Sequence, residues 1–255
     1  DTSKDWAKYF YKTLYEEPDG FESGDRGFDE IIKRCLRKSP DKRFSNFLEL
    51  EEALQGVYKR LTGERLREET PEEFEAWELN NRGVSFSELG RYERAIEDFN
   101  RALEINPRYA LAYNNRGAAY AKKGDLDRAI SDFNRAIEIN PGYADAYVNR
   151  GLAYYNKGDL DRAIFDFNRA LEINPRDVEA YVNRGAAYAD KGDLDGAISD
   201  FNRAIEINPG YALAYNNRGL AYYYKGDLEK ACLDAKRACE LGICDLYQIL
   251  RQMGI

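Results

Sequence analysis

The triplet Asn-Arg-Gly occurs five times, at Asn81–Gly83, Asn115–Gly117, Asn149–Gly151, Asn183–Gly185 and Asn217–Gly219, each 34 residues after the last. Its first two members each bring a chemistry. An Asn amide carries an acceptor and two donors, so it can pair with one peptide unit of an extended chain. One Asn per repeat (Asn81, Asn115, Asn149, Asn183, Asn217) makes a ladder of such amides. An Arg that recurs in step with them calls for an anion, because an unpaired charge is costly to bury. Asp98, Asp132, Asp166, Asp200 and Asp234 stand 16 residues after each Arg. Arg116 with Asp132, Arg150 with Asp166 and Arg184 with Asp200 read as structural ion pairs between antiparallel helices, not as a site.

Composition excludes other chemistries. The 255 residues include no His, so there is no His metal ligand, no His general base and no Ser-His-Asp triad. There are 4 Cys and no Cys-x-x-Cys. Neither a metal nor a cofactor is expected. The net charge of −8 argues against a nucleic-acid partner, which needs a basic footprint to displace counterions. Mean hydropathy is −0.70, and no apolar run nears the ~18 residues of a membrane span. No basic stretch followed by an apolar one opens the chain as a signal peptide would. Sparse Cys fits a reducing, cytoplasmic compartment. The chain starts at Asp1 without Met, which suggests a piece cut from something longer.

The elements that must position these residues follow from the period. Asn-Pro recurs at Asn106, Asn140, Asn174 and Asn208, again every 34. In this register five repeats span 76–109, 110–143, 144–177, 178–211 and 212–245, followed by a capping segment, 246–255. Each reads as two helices. In 110–143, Tyr113, Gly117 and Tyr120 form one helical stripe. Gly124 closes that helix and Asp125 is placed to cap the next. Ala129, Ile130, Phe133, Ala136 and Ile137 form the second stripe, ended before Pro141.

This pattern resembles the tetratricopeptide repeat (TPR) family over residues 76–245. Small residues at repeat positions 8, 20 and 27 (Gly117, Ala129, Ala136), aromatics at 4, 11 and 24, and Pro at 32 carry the likeness. The resemblance implies an all-α fold, a right-handed superhelix of helix-turn-helix units, here preceded by a small helical segment. The sequence departs from the family where position 7, usually Leu, is Arg. The last repeat decays, with Ala235 at the Phe position and Ile243 at the Pro position. Cys232 and Cys239 read most simply as small core residues there. A Cys239–Cys244 disulfide or a thiolate metal site is the alternative.

In the family the concave face, at positions 2, 5, 6, 9, 12, 13, 33 and 34, binds the ligand. Repeats 110–143 and 144–177 differ at nine of 34 positions, and seven of those nine lie in this set. Exposed positions 25 and 26 of the second helix barely change, which concentrates the variation on the inner face. The resemblance then implies a peptide groove. Its Asn ladder is similar to that of O-GlcNAc transferases, where such a ladder grips peptide backbone. Lys122, Asp145, Tyr155, Asn156, Glu179, Asp190, Tyr223 and Tyr224 would read side chains. The carboxylate clamp of heat-shock co-chaperones is absent, since position 5 holds no Lys.

Residues 1–62 lie outside the period. Phe28, Ile31, Ile32, Cys35 and Leu36 mark one amphipathic helix and Phe47, Leu50, Leu54, Val57, Tyr58 and Leu61 another. Residues 28–44, with Pro40 and Arg43, resemble the end of a bacterial Ser/Thr kinase C-lobe, and 49–63 resembles its last helix. The phosphate-covering loop, strand Lys, catalytic loop and metal-binding Asp of that family are not in this sequence. This chain is therefore expected not to be an enzyme, although a parent protein would be an ATP-dependent Ser/Thr kinase. Residues 63–75 read as a charged junction and the start of a helix at Thr70-Pro71, with the leader packed on the first repeat. The expected function is a protein-interaction module with a protein or peptide partner. Self-association as an assembly scaffold is the alternative.

Overall fold

The computed structural model describes Pro71–Gly254, with side chains from Glu75 onward. The expectations for the kinase-like segment and its packing on the first repeat lie outside the described residues. Eleven helices and no strand are found among the described residues. They are α1 (Pro71–Glu88), α2 (Tyr92–Ile105), α3 (Ala110–Lys122), α4 (Leu126–Ile139), α5 (Ala144–Asn156) and α6 (Leu160–Ile173). Then come α7 (Val178–Asp190), α8 (Leu194–Ile207), α9 (Ala212–Tyr224), α10 (Leu228–Glu240) and α11 (Asp245–Gln252). The odd-numbered helices α1 to α9 open the repeats and the even-numbered ones close them.

Local chemistry sets the helix ends. Gly124, Gly158, Gly192 and Gly226 take φ between 79° and 85°, the left-handed region that stops α3, α5, α7 and α9. One residue later, Asp125, Asp159, Asp193 and Asp227 accept from the backbone N–H of Arg128, Arg162, Gly196 and Lys230. These caps start α4, α6, α8 and α10. Arg91 occupies the same place before α2 and makes no side-chain cap.

The core repeats with the sequence. Phe99, Phe133, Phe167 and Phe201 are wholly buried, and each lies against a Gly of the partner helix. A Cβ on Gly151 would sit 2.7 Å from the Phe167 ring. The small residue at position 8 is therefore dictated by the aromatic at position 24. In the fifth repeat Ala235 replaces the Phe, and Leu246 of α11 moves in, 3.0 Å from where a Gly219 Cβ would be. Leu246 and Leu250 complete a buried cluster with Ala231 and Ala235, so α11 covers the last repeat's apolar face.

Each first helix packs on its own second helix, on the second helix before it, and on the first helix of the next repeat. No two second helices approach comparably. The array therefore curves with α1, α3, α5, α7 and α9 on the inside.

One reading needs correction. Cys239 is not a free core residue: it is disulfide-bonded to Cys244. The turn through Gly242, at φ 107°, brings the two together and ties α10 to α11. Cysteine usage thereby ceases to support a reducing compartment. Cys232 is half-buried against the Leu246 cluster. Among the described residues, no group of three or more His, Cys, Asp or Glu is placed to hold a metal. No described helix is long and apolar enough to cross a membrane.

Candidate peptide groove

The groove is built on a frame of Arg residues. Arg116, Arg150, Arg184 and Arg218 each donate twice to the Asp of their own repeat, at 2.6–2.8 Å. Each also donates through Nη1 to an Asn of the preceding repeat: Asn100, Asn134, Asn168 and Asn202. Their guanidinium groups lie over Tyr113, Tyr147, Tyr181 and Tyr215, 5.3–5.5 Å from the ring centres. Arg82 pairs with Asp98 but is half exposed. Each Arg from the second repeat on is thus a three-way link within and between repeats.

Sequence reasoning pairs Arg with Asp and misses the Asn. Its constancy at position 25 is the available signal, but in the sequence it looks like that of an idle surface. Position 26 is engaged as well: Arg135, Arg203 and Arg237 pair with Glu138, Glu206 and Glu240. Position 25 is thus bound in each of the four repeats where it is Asn, and position 26 is paired at the surface. They are no control for free surface drift, and the variation argument for the inner face loses that support.

The five ladder amides are not equivalent. Asn115 donates to Asn80 and Asn149 to Asn114, each at 3.0 Å, across the seam to the preceding repeat. Asn81 and Asn217 accept from their neighbours Asn80 and Asn216 at 3.4 and 3.3 Å. Asn183 has no such partner, because the acceptor's place is taken by the buried Val148. Asn216 has no following Asn, and its Oδ1 is buried without a partner.

The expected side-chain readers also divide. Tyr155 donates its hydroxyl to Asp190, so these two engage each other. That bond, then burial, pushes the Tyr155 phenol up to about 12. Tyr223 and Tyr224 meet edge to face at 5.8 Å, and Tyr224 is largely exposed. Lys122, Asn156, Asp145 and Glu179 are exposed. Beside Asp145, Tyr143 is held up to about 12 by burial first and then by the carboxylate and Tyr109. Burial, then Glu179 and Asp177, also raises the Tyr211 phenol above its ordinary value. The arrangement offers amide donors and acceptors, phenols and carboxylates along one inner face.

Profiles described as TPR repeat match residues 83–124 and 187–226. Others described as tetratricopeptide repeat match 110–143, 144–177, 167–199 and 212–241. The chain belongs to the tetratricopeptide-repeat family. Solved structures of similar fold agree. The protein MamA is 28% identical, with a TM-score of 0.57 over 62% of this chain and 93% of its own. YrrB, described as a TPR protein with an unusual peptide-binding site, is 29% identical, TM-score 0.56, over 69% and 91%. TTC0263 of Thermus thermophilus, a thermophilic TPR protein, is 25% identical, TM-score 0.57, over 70% and 97%. No curated protein matches the sequence.

Proposed function

We propose that this TPR array is a protein-interaction module whose concave groove takes an extended peptide or segment of a partner protein. The observation that carries this reading is Asn183. It stands mid-groove at the ladder position, with an amide that no group among the described residues engages, so one full peptide unit can pair with it. Asn115 and Asn149, each with one N–H directed across a seam, keep their carbonyl oxygens for a ligand. The TPR protein YrrB, by its description, has a peptide-binding site.

The finer reading is docking for a parent Ser/Thr kinase, which would raise the local concentration of its substrate or regulator. It rests on the resemblance of residues 28–63 to the end of a kinase lobe. The scaffold alternative has less support. Lys236 stands where the four preceding repeats offer an Asn to the next Arg, so the last repeat does not present that acceptor.

A peptide-array screen of the full chain tests the groove, repeated with Asn183→Ala and with Asn149→Ala. Broad loss of hits in Asn183→Ala, whatever their sequence, supports backbone recognition. A blank array, or equal binding by the variant, refutes it.

A further inference from the structure

Between the first two repeats, α1, α2 and α3 line an open pocket of about 280 Å³. Val84, Phe99 and Ala118 give it apolar walls, and Ser87, Glu88, Asn115 and Lys122 give it polar ones. The Ser87 Oγ is buried and has no hydrogen-bond partner. A buried hydroxyl without a partner is a destabilising feature that a ligand can relieve. Lys122 is exposed and enters no ion pair among the described residues; its neighbour Lys123 is the one bonded to Glu93.

The chain itself shows what fits such a place. Two repeats on, the equivalents of Ser87 and Lys122 are Tyr155 and Asp190. There a phenol ring packs on the buried cluster around Phe167 and Ala187, and its hydroxyl donates to Asp190 of the next repeat. In the first seam the ring is missing, its space is open, and a cation replaces the acceptor at the far end. The matching occupant carries a ring with a tip that both donates and accepts: it donates to Ser87 Oγ and accepts from Lys122 Nζ. A phenol does both.

We propose that the seam between repeats one and two is a subsite for a tyrosine side chain of the bound peptide. The ring lies between Val84 and Ala118, and its hydroxyl bridges Ser87 and Lys122. This inference rests on the groove being a peptide site and names one of its specificity elements.

The test uses the full chain and three probes: N-acetyl-tyrosinamide, N-acetyl-phenylalaninamide and N-acetyl-alaninamide. Amide chemical shifts are followed on titration. The tyrosine probe should move the signals of Val84, Ser87, Ala118 and Lys122 and bind about five-fold more tightly than the phenylalanine probe. The alanine probe should move none. Ser87→Ala should keep ring binding and reduce the preference for tyrosine, since Lys122 still donates to the hydroxyl. Ser87→Tyr, which fills the space from within as Tyr155 does, should abolish binding and raise the melting temperature. No shift in the parent, equal affinity for both ring probes, or an unchanged tyrosine preference in Ser87→Ala overturns the subsite. Array hits without tyrosine selection overturn it while leaving the groove standing. Probe binding with a blank array overturns the subsite as part of a peptide groove and leaves only a pocket for an isolated phenol.

Discussion

Arg150 and Asp166 meet through two parallel hydrogen bonds, 2.8 Å from Nε and 2.6 Å from Nη2, with the carboxylate almost wholly buried. Removing one partner leaves the other charged and poorly solvated. Asp166→Ala should lose about 3 kcal/mol of stability, and the apolar double variant Arg150→Met with Asp166→Leu much less. Urea unfolding followed by circular dichroism checks both. Equal losses would mean that the pair stabilises in its own right.

Asn134 is the third member of that link, accepting from Arg150 Nη1 at 2.6 Å. Asn134→Ala should lose about 2 kcal/mol, the scale of a hydrogen bond to a charged group. Lys236→Ala, at the equivalent place in the last repeat, should change stability by no more than about 0.5 kcal/mol. Because the Asn134 bond crosses a repeat boundary, its loss should also lower the unfolding slope as neighbouring repeats uncouple.

Gly151→Ala sets a Cβ 2.7 Å from the Phe167 ring in a filled core. A loss of about 2 kcal/mol is expected, as for other overpacked sites. Combining it with Phe167→Leu should cost less than the two single losses together, since the leucine vacates the clash. Additive losses would refute direct contact.

The Cys239–Cys244 bond closes a short loop, worth about 2 kcal/mol in the chain-entropy picture. Its effect should stay local. Reduction, or Cys244→Ser, should speed amide exchange in α11 and around Leu246 while leaving α3 to α8 protected. Uniform loss of protection would show that the cap holds the whole array.

Tyr143 and Tyr155 should titrate near pH 12 in the folded protein, above the ordinary phenol at about 10. Their neutral forms are favoured by folding. The resulting stability is therefore present below pH 10 and lost as pH rises towards 12. Ultraviolet titration of tyrosinate checks this. Asp190→Asn should bring Tyr155 down and leave Tyr143 unchanged, because the carboxylate is the first cause of the Tyr155 shift alone.

Much of the fold was legible because repetition averages out local ambiguity. The 34-residue period, the Asp125-type caps and the Gly124-type stops each act within one turn of chain, so residue type and spacing determined them. Gly151 and Phe167, 16 residues apart, followed from the same period. The kinase-like reading of the leader had no comparable repetition behind it.

What only the tertiary structure decided concerns contacts between repeats and at the end of the array. Asn134 reads as surface until curvature brings Arg150 onto it. Leu246 takes the space of an absent Phe because α11 folds back onto α9 and α10. Tyr155 and Asp190, each plausible alone as a ligand reader, occupy each other across a seam, whereas Ser87 and Lys122 at the equivalent seam do not. Among the described residues the amide of Asn183 stays unengaged, because Val148 stands where the preceding repeats have an Asn. Each outcome depends on which side chain of one repeat faces which of the next, and that distance is set by packing rather than by position in the chain.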